Sequence, residues 1–492
     1  MNRTKNNKIY IVGAGFAGRI LAAEIESRGT FGEVVAFLDD DLDKRGTKIE
    51  GISVLGPVDE IKDHLKKKPA DEAIIAIPNA LHEDLERIYA ELKRSGIDSI
   101  RILPRLSQFI DSPPHFIQTR EINPADFLKR KPAVISLKKS LSYLRGMRVV
   151  ITGAGGSIGS ELCRQLLHGG AQRLYLFDHE ENGLYEIEKE LKLLQNAGIG
   201  EAASIVPVVG ELKDKAYMDF IIKRLKADVI FHCAAYKHVP MMEANPIEAI
   251  HNNVFGTKNL VDAALKYSVS RFVLVSTDKA ADPVCVYGAS KMLAEEIVLH
   301  ASTENTHFMV VRFGNVLDSR GSIVPLFKDQ IASGGPVTVT DPEASRFFMT
   351  LPESASLVLK AGGVGEAGQL YILDMGDQVL IKELAEQMIR FYGYIPGEDI
   401  EITYTGLRPG DVLNETLYSD DESPVKTPYP RINRLIRKPR FNGELDALLE
   451  RLKPICSFDP SNEKAYRNRR LLRDILNNQI PTVRTPEDEP EY

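Results

Sequence analysis

Between Ser276 and Lys291 the chain reads STDKAADPVCVYGASK, a run that gathers a phenol, two amines, a carboxyl and a hydroxyl. Tyr287 and Lys291 stand at i and i+4, so a helix starting near Tyr287 puts both side chains on one face. A lysine ammonium beside a phenol lowers its pKa from about 10 towards neutrality. Such a pair can take a proton from a sugar hydroxyl while its carbon gives up a hydride, the acid/base work of a nicotinamide-dependent oxidoreductase. Just upstream, Thr277, Asp278 and Lys279 add a hydroxyl, an acid and an amine. Alcohol oxidation alone has no use for that extra acid and base; removal of a hydroxyl from a neighbouring carbon needs both. Because Tyr-x-x-x-Lys spacing also arises by chance in helices, the surrounding elements carry the decision.

Those elements begin with Thr152 to Gly159, TGAGGSIG, between an apolar strand and a helical pattern. Gly153, Gly156 and Gly159 let the backbone approach a pyrophosphate, and with Ser157 and Ile158 they open a helix whose N–H groups favour an anion. Asp178 ends the next strand about 20 residues on, where a carboxylate can accept the ribose hydroxyls of adenosine and repel a 2′-phosphate, favouring NAD over NADP. The bland reading of Asp178 is a helix cap. After a third apolar strand, Ala234 and Ala235 are small enough for a cofactor to lie against the strand end, and Lys237 and His238 follow at the ligand-binding edge of a parallel sheet. His238 can equally be an ordinary loop residue. Asn253 stands where a helix begins, able to orient backbone or water near the Tyr–Lys pair or simply to open the helix.

The strands RLYLFD, SIVPVVG, DVIFHCAA, RFVLVS and HFMVVRFGN alternate with helical segments, which predicts a doubly wound parallel sheet with right-handed crossovers. A first unit of the same kind opens the chain: KIYIVGAGFAGRI places Gly13, Gly15 and Gly18 in GxGxxG spacing, and Asp39 and Asp40 follow about 20 residues later. A lone GxGxxG also occurs in α/β domains that bind something else. The expected organisation is therefore α/β, two tandem Rossmann-like units. Residues 1–110 form an N-terminal nucleotide-binding-type domain, 111–145 a Pro-containing linker, 146–435 a catalytic domain with a smaller C-terminal substrate lobe, and 436–492 a helical extension with an acidic tail.

Composition narrows the function. In 492 residues the net charge is −7, with 43% hydrophobic and 27% charged residues, and no basic stripe stands out, so nucleic acid is not an expected partner. The four cysteines form no CxxC, which disfavours a zinc site or a disulfide framework and points to a reducing cytoplasm. No stretch reaches the roughly 20 apolar residues of a spanning helix, so membrane insertion is not expected.

TGAGGSIGSEL, FHCAAYKHVPMMEANP, NNVFGTKNLVDAA, STDKAADPVCVYGASKMLAEE, RFGNVLDSRGSIVPLFKDQIASGGPVTVTDPEASRFFMT and GLRPGD resemble one group. It is the polysaccharide-biosynthesis nucleotide-sugar 4,6-dehydratases of the extended short-chain dehydrogenase/reductase superfamily. The resemblance spans about residues 120 to 420, and the N-terminal unit is similar to the Rossmann-type domain of the long members. It implies dehydration of UDP-N-acetylglucosamine, or a close relative, to a UDP-4-keto-6-deoxy-hexosamine by a homo-oligomer. Tyr287, favoured as phenolate by Lys291, would deprotonate the 4-hydroxyl as C4 delivers hydride to NAD. Lys279, if neutral, would remove the C5 proton, and Asp278, if protonated, would donate to the departing 6-hydroxyl, with Thr277 holding the sugar. His238, Asn315, Lys328, Arg346 and Arg408 would surround the UDP-sugar, though each charge taken alone can be a solvated one. Three positions depart from the pattern: Tyr287 stands where many long members have Met, Glu211 where an Asp is usual beside the adenine, and DFLKRKP where DLLGR is usual. A 4-epimerase shares the fold, NAD and the Tyr–Lys pair but needs no acid or base at C5 and C6. A silent sugar-nucleotide- or NAD-binding scaffold needs none of these groups.

Overall fold

The computed structural model describes residues 7–28, 32–77, 80, 82–97, 99–103, 120–121, 141–200, 202–303 and 306–486. Most of the stretch read as a linker, the DFLKRKP segment and the end of the acidic tail lie outside the described residues. The chain divides into two compact units. One comprises Met1–Val134, Val324–Val339 and Glu383–Thr403; the other comprises Ile135–Ile323, Thr340–Lys382 and Tyr404–Tyr492.

In the first unit β1 (Lys8–Val12), α1 (Phe16–Arg28), β2 (Glu33–Leu38), β3 (Glu72–Ile75), α2 (His82–Arg94), β4 (Ser99–Ile102) and β5 (Arg120–Glu121) follow in order. Their sheet runs β2-β1-β3-β4-β5, parallel except for β5. Ile9, Tyr10, Ile11 and Val12 are all buried, as expected of a central parallel strand covered on both faces. Asp39 accepts from the Ala14 N–H at 2.7 Å and pairs with Lys44 at 3.1 Å. Phe391, from the later segment grouped with this unit, stacks on Tyr89 of α2 with centroids 4.2 Å apart.

The second unit contains β6 (Arg148–Thr152), α3 (Ser157–His168), β7 (Arg173–Asp178), α4 (Glu181–Asn196), β8 (Ser204–Val209), α5 (Lys215–Leu225), β9 (Val229–His232) and α6 (Thr257–Lys266). It continues with β10 (Arg271–Thr277), α7 (Val286–His300), β11 (His307–Phe313), α8 (Leu351–Val364), β12 (Leu370–Leu373), β13 (Glu422–Lys426), β14 (Ile432–Arg437), α9 (Leu445–Cys456) and α10 (Arg469–Gln479). The sheet order is β8-β7-β6-β9-β10-β11-β12-β14-β13, parallel through β12 and antiparallel for the last two strands. This is the doubly wound α/β architecture that the alternation predicts. Successive strand residues feed opposite faces: Val150 joins one hydrophobic core and Val149 and Ile151 the other. Chain direction across the sheet reverses between β6 and β9, which opens a crevice at their C-terminal ends.

Polar burial fixes the elements that carry the candidate site. Arg312 of β11 is wholly enclosed and binds Glu295 of α7 and Glu422 of β13 at 2.7 and 2.6 Å. Ser276 of β10 donates to the same Glu295 at 2.6 Å. At the start of α7 the Val286 N–H is taken by Glu243 at 2.7 Å, and Arg473 of α10 holds the other Glu243 oxygen at 3.0 Å. Tyr287 therefore sits in the first turn of a helix that is anchored at its N-terminus and at mid-length.

Candidate active site

At the β6–β9 crevice, Gly153 leaves β6 with φ of +70°, and a Cβ there would lie 2.7 Å from the Ala234 amide nitrogen. Only glycine satisfies both demands. The loop then enters α3, and the cleft of about 250 Å³ in front of it is lined by Gly153, Gly156, Asp178, Glu211, Ala234 and Ala235, among others. Asp178 is buried at the end of β7, accepting from the Gly155 N–H at 2.9 Å and the Glu180 N–H at 3.1 Å. Backbone close enough to cradle a pyrophosphate, a helix N-terminus and a carboxylate at the second strand end fit an adenine dinucleotide. Ser157, Ile158 and Gly159 form the first turn of α3, and Ser157 Oγ accepts from the Arg320 N–H at 3.0 Å.

Behind the cleft a one-way chain of buried hydrogen bonds sets its wall. Thr257 gives its proton to the Asn253 carbonyl at 2.7 Å, so it accepts from His232 Nε2 at 2.8 Å, and His232 Nδ1 accepts from Thr152 at 2.7 Å. Burial, reinforced by the nearby Lys291 charge, pushes His232 down to about 3, so it stays neutral. Asn253, inside a wide π-type turn over His251–Gly256, is fully engaged: it bonds the Tyr236 N–H and C=O at 2.9 and 3.0 Å and Ser290 of α7 at 3.0 Å. It thereby ties the cleft wall to the helix that carries Tyr287.

On the other side of α7 lies the acid/base cluster. The turn Asp278–Ala280 approaches α7 closely because residue 288 is glycine; a Cβ there would lie 2.5 Å from the Lys279 carbonyl oxygen. Asp278 Oδ1 accepts from the Thr277 hydroxyl at 2.9 Å, the Lys279 N–H at 2.9 Å and Lys279 Nζ at 3.2 Å. Lys279 Nζ also reaches Asn315 Oδ1 at 3.3 Å and Glu415 Oε1 at 2.6 Å, and Arg346 Nε meets the same Glu415 oxygen at 3.0 Å. Thr277, like Lys279, opposes the rise that burial imposes on Tyr287.

Several expectations change once the groups are placed. The sequence reading asks for a neutral Lys279 and a protonated Asp278, and the structure rests in the opposite state. Two flanking carboxyls raise Lys279 despite its burial, and Lys279, Thr277 and Glu415 hold Asp278 below the usual carboxylate range. Tyr287 is pushed up to about 12 rather than towards neutrality, because desolvation dominates, and the cation that opposes the rise is Lys279. Burial pulls Lys291 down to about 8, and its Nζ donates to the Val275 carbonyl at 2.8 Å. The resemblance places Arg346 at the UDP phosphates. In the structure its fork is engaged by Glu415 and by the Ser345, Val412 and Leu413 carbonyls.

The other expected cofactor and substrate residues scatter. Lys237 spends its ammonium on the Arg320 carbonyl at 2.6 Å, and the His238 ring packs against Gly321. Arg408 is exposed and paired with Asp411 at 2.9 Å. Lys328 is exposed on the helix Ile323–Ala332, mostly grouped with the first unit. Sequence reasoning did not find Glu415, Arg320 or Asn252, the last of which lines the cleft beside Asn253. Glu415 follows GLRPGD closely, but nothing in its spacing ties it to residue 278.

Residues 149–437, more than half of the chain, match the family described as polysaccharide biosynthesis protein. The chain belongs to that family. Residues 1–104 match a second family, described as CoA-binding domain. Polysaccharide-biosynthesis relatives include the probable polysaccharide biosynthesis protein EpsC of Bacillus subtilis (strain 168), 38% identical over 433 residues, covering 88% of this chain and 71% of that one. Capsular polysaccharide biosynthesis protein CapD of Staphylococcus aureus is 38% identical over 455 residues, covering 92% and 75%. The UDP-N-acetylglucosamine 4,6-dehydratase (inverting) of Campylobacter jejuni subsp. jejuni serotype O:23/36 (strain 81-176) is 28% identical over 346 residues, covering 68% and 98%. Among solved structures, Pen from Bacillus thuringiensis is 31% identical with a TM-score of 0.54, over 60% of this family member and 90% of that chain. Among the described residues, no helix is long and apolar enough to cross a membrane.

Proposed function

We propose that this protein catalyses the NAD-dependent 4,6-dehydration of UDP-N-acetylglucosamine, or of a closely related UDP-hexose, to a UDP-4-keto-6-deoxy sugar. The observation that carries the reading is the buried Asp278–Lys279–Glu415 cluster next to Tyr287, a second set of acid/base groups that oxidation and epimerisation do not require. The C. jejuni relative named for this activity matches over 98% of its own length. Gly153, Gly156, Ser157, Ile158 and Gly159 would hold the pyrophosphate of NAD, Asp178 the adenosine ribose, and Glu211, Ala234 and Ala235 the rest of the cleft wall. Bound NAD would take a hydride from C4 and return it at C6, leaving no net redox change.

The chain's own groups handle the protons. Tyr287, a neutral phenol at rest, first releases its own proton to solvent and then, as phenolate, takes the proton of the 4-hydroxyl, with Thr277 hydrogen-bonding the sugar or the phenol. The ketone at C4 acidifies C5–H; Lys279 takes that proton, the C–H electron pair becomes the C5=C6 bond, and the 6-hydroxyl leaves with a proton from Asp278 as water. A carboxylate at Asp178, with Glu180 and Glu211 close by, favours NAD over NADP because a 2′-phosphate would add negative charge there.

Mass spectrometry and proton NMR after incubation with UDP-N-acetylglucosamine in deuterated water, without and with added NAD, test the reading. A product lighter by one water and carrying solvent deuterium at C5 supports it, and the coupling pattern gives the C5 configuration. An isomer of unchanged mass would replace it with 4-epimerisation, the activity for which a 31% identical relative from Rickettsia rickettsii is named.

A further inference from the structure

Glu415 is almost wholly buried, and its Oε1 receives both Lys279 Nζ at 2.6 Å and Arg346 Nε at 3.0 Å, while Oε2 meets Asn315 Nδ2 only at 3.5 Å. Asp278 is equally enclosed but lopsided. Its Oδ1 has three donors, and its Oδ2 has none among the described residues. An enclosed carboxylate oxygen without a donor is costly. Both carboxyls meet the same Lys279 ammonium, Asp278 at 3.2 Å and Glu415 at 2.6 Å, so two buried acids crowd one cation, and one proton held between them would relieve their repulsion and supply the donor that Oδ2 lacks.

We infer that Glu415 is a positioning residue of the elimination: by holding a proton against Asp278 it leaves Lys279 with one anionic partner instead of two, free to exchange a proton with Asp278. The inference rests on the dehydration reading. Burial and then the Asp278 charge push Glu415 up to about 7, against the opposing charges of Lys279 and Arg346. Tyr287 is a further titratable group facing that ammonium.

The proton inventory closes. With Glu415 protonated, moving one proton from Lys279 Nζ to Asp278 across 3.2 Å gives the neutral amine and the acid that elimination requires. After Lys279 takes the C5 proton and Asp278 protonates the leaving hydroxyl, the cluster is back at ammonium, carboxylate and protonated Glu415; when hydride returns to C6, the Lys279 ammonium gives C5 a proton that solvent replaces, which restores the resting state. Once Glu415 ionises, two carboxylates hold the Lys279 proton and the exchange is suppressed. A carboxyl raised above its ordinary value is protonated below about 7 and loses its proton above it, so elimination falls as pH rises.

The test compares wild type, Glu415→Gln and Glu415→Asp, each full-length and loaded with NAD, for deuterium wash-in at C5 of UDP-N-acetylglucosamine and for reduction of the bound cofactor. Wild-type wash-in should fall about tenfold per pH unit above neutrality. The Gln variant should lack that limb while still reducing the cofactor, and the Asp variant should keep a displaced limb. A Gln variant with the wild-type limb, or one that loses both steps equally, overturns the inference. If wild type yields no product and no wash-in, the dehydration reading fails, and the shared proton is read separately by glutamate-labelled infrared spectroscopy. A protonated-carboxyl band that titrates near neutrality and disappears in Glu415→Gln retains it; absence of the band at slightly acid pH overturns it.

Discussion

Replacing Arg312 by Met removes the cation on which the helix carrying Tyr287 hangs, and its cost can be worked out. Arg312, Glu295 and Glu422 have no side-chain exposure. Glu422 keeps Arg440 at 3.3 Å, so the carboxylate left without a bonded cation is Glu295, which retains one hydroxyl donor from Ser276 and only the unbonded charges of Arg437 and Lys291. Breaking a buried pair by removing one partner costs about 3–5 kcal/mol. Glu295 can instead take up a proton, which from an ordinary value of 4.5 costs about 3.4 kcal/mol at about pH 7. That route cheapens by about 1.4 kcal/mol per unit of falling pH, so at about pH 5.5 the penalty should be about 2 kcal/mol smaller. Wild type does not change over this window on account of Glu295, because Arg312 holds that carboxyl below 4.5 and its contribution is lost only at lower pH. Urea unfolding of both proteins at the two pH values, followed on the transition of the catalytic unit, measures this. A loss of less than about 1 kcal/mol at neutral pH, or a larger loss at the lower pH, would refute the argument. The triple variant Arg312→Met, Glu295→Gln, Glu422→Gln should recover much of the stability.

Lys279→Ala should abolish elimination while bound NAD is still slowly reduced by substrate, and equal loss of both steps in stopped-flow absorbance would contradict its role. Tyr287→Phe should abolish the first oxidation, by at least a hundredfold in cofactor reduction; near-normal turnover would assign the C4 base to another group. His232 is depressed to about 3 in the folded protein and is ordinary when unfolded, so its contribution to stability is whole above about 6.5 and declines towards 3. His232→Gln should therefore weaken the acid-side loss of stability by up to about 1.4 kcal/mol per pH unit in urea titrations, and an unchanged slope would argue against a buried neutral imidazole.

The architecture was open to the sequence because it rests on local patterns. Short apolar strands alternating with amphipathic helices, each glycine turn at a strand end, and Asp178 closing β7 all follow from spacing within about 30 residues. The same locality made Tyr287, Lys291, Asp278 and Lys279 visible as a group. Their charge states were not visible, because each depends on what the fold brings up from far away. Glu415 arrives beside Lys279 from a later segment of the chain, and with Asp278 it keeps Lys279 charged against the burial that alone favours the neutral amine and the protonated acid. Arg346 shows the same limit: nothing local to it indicates that its fork meets Glu415 and the Val412 and Leu413 carbonyls. The sequence by itself determined which elements form and which reactive groups share a helix face or a turn, since those are contacts between near neighbours. Only the tertiary structure decided which acid, base and cation meet in the interior, because desolvation and charge pairing are properties of the assembled core.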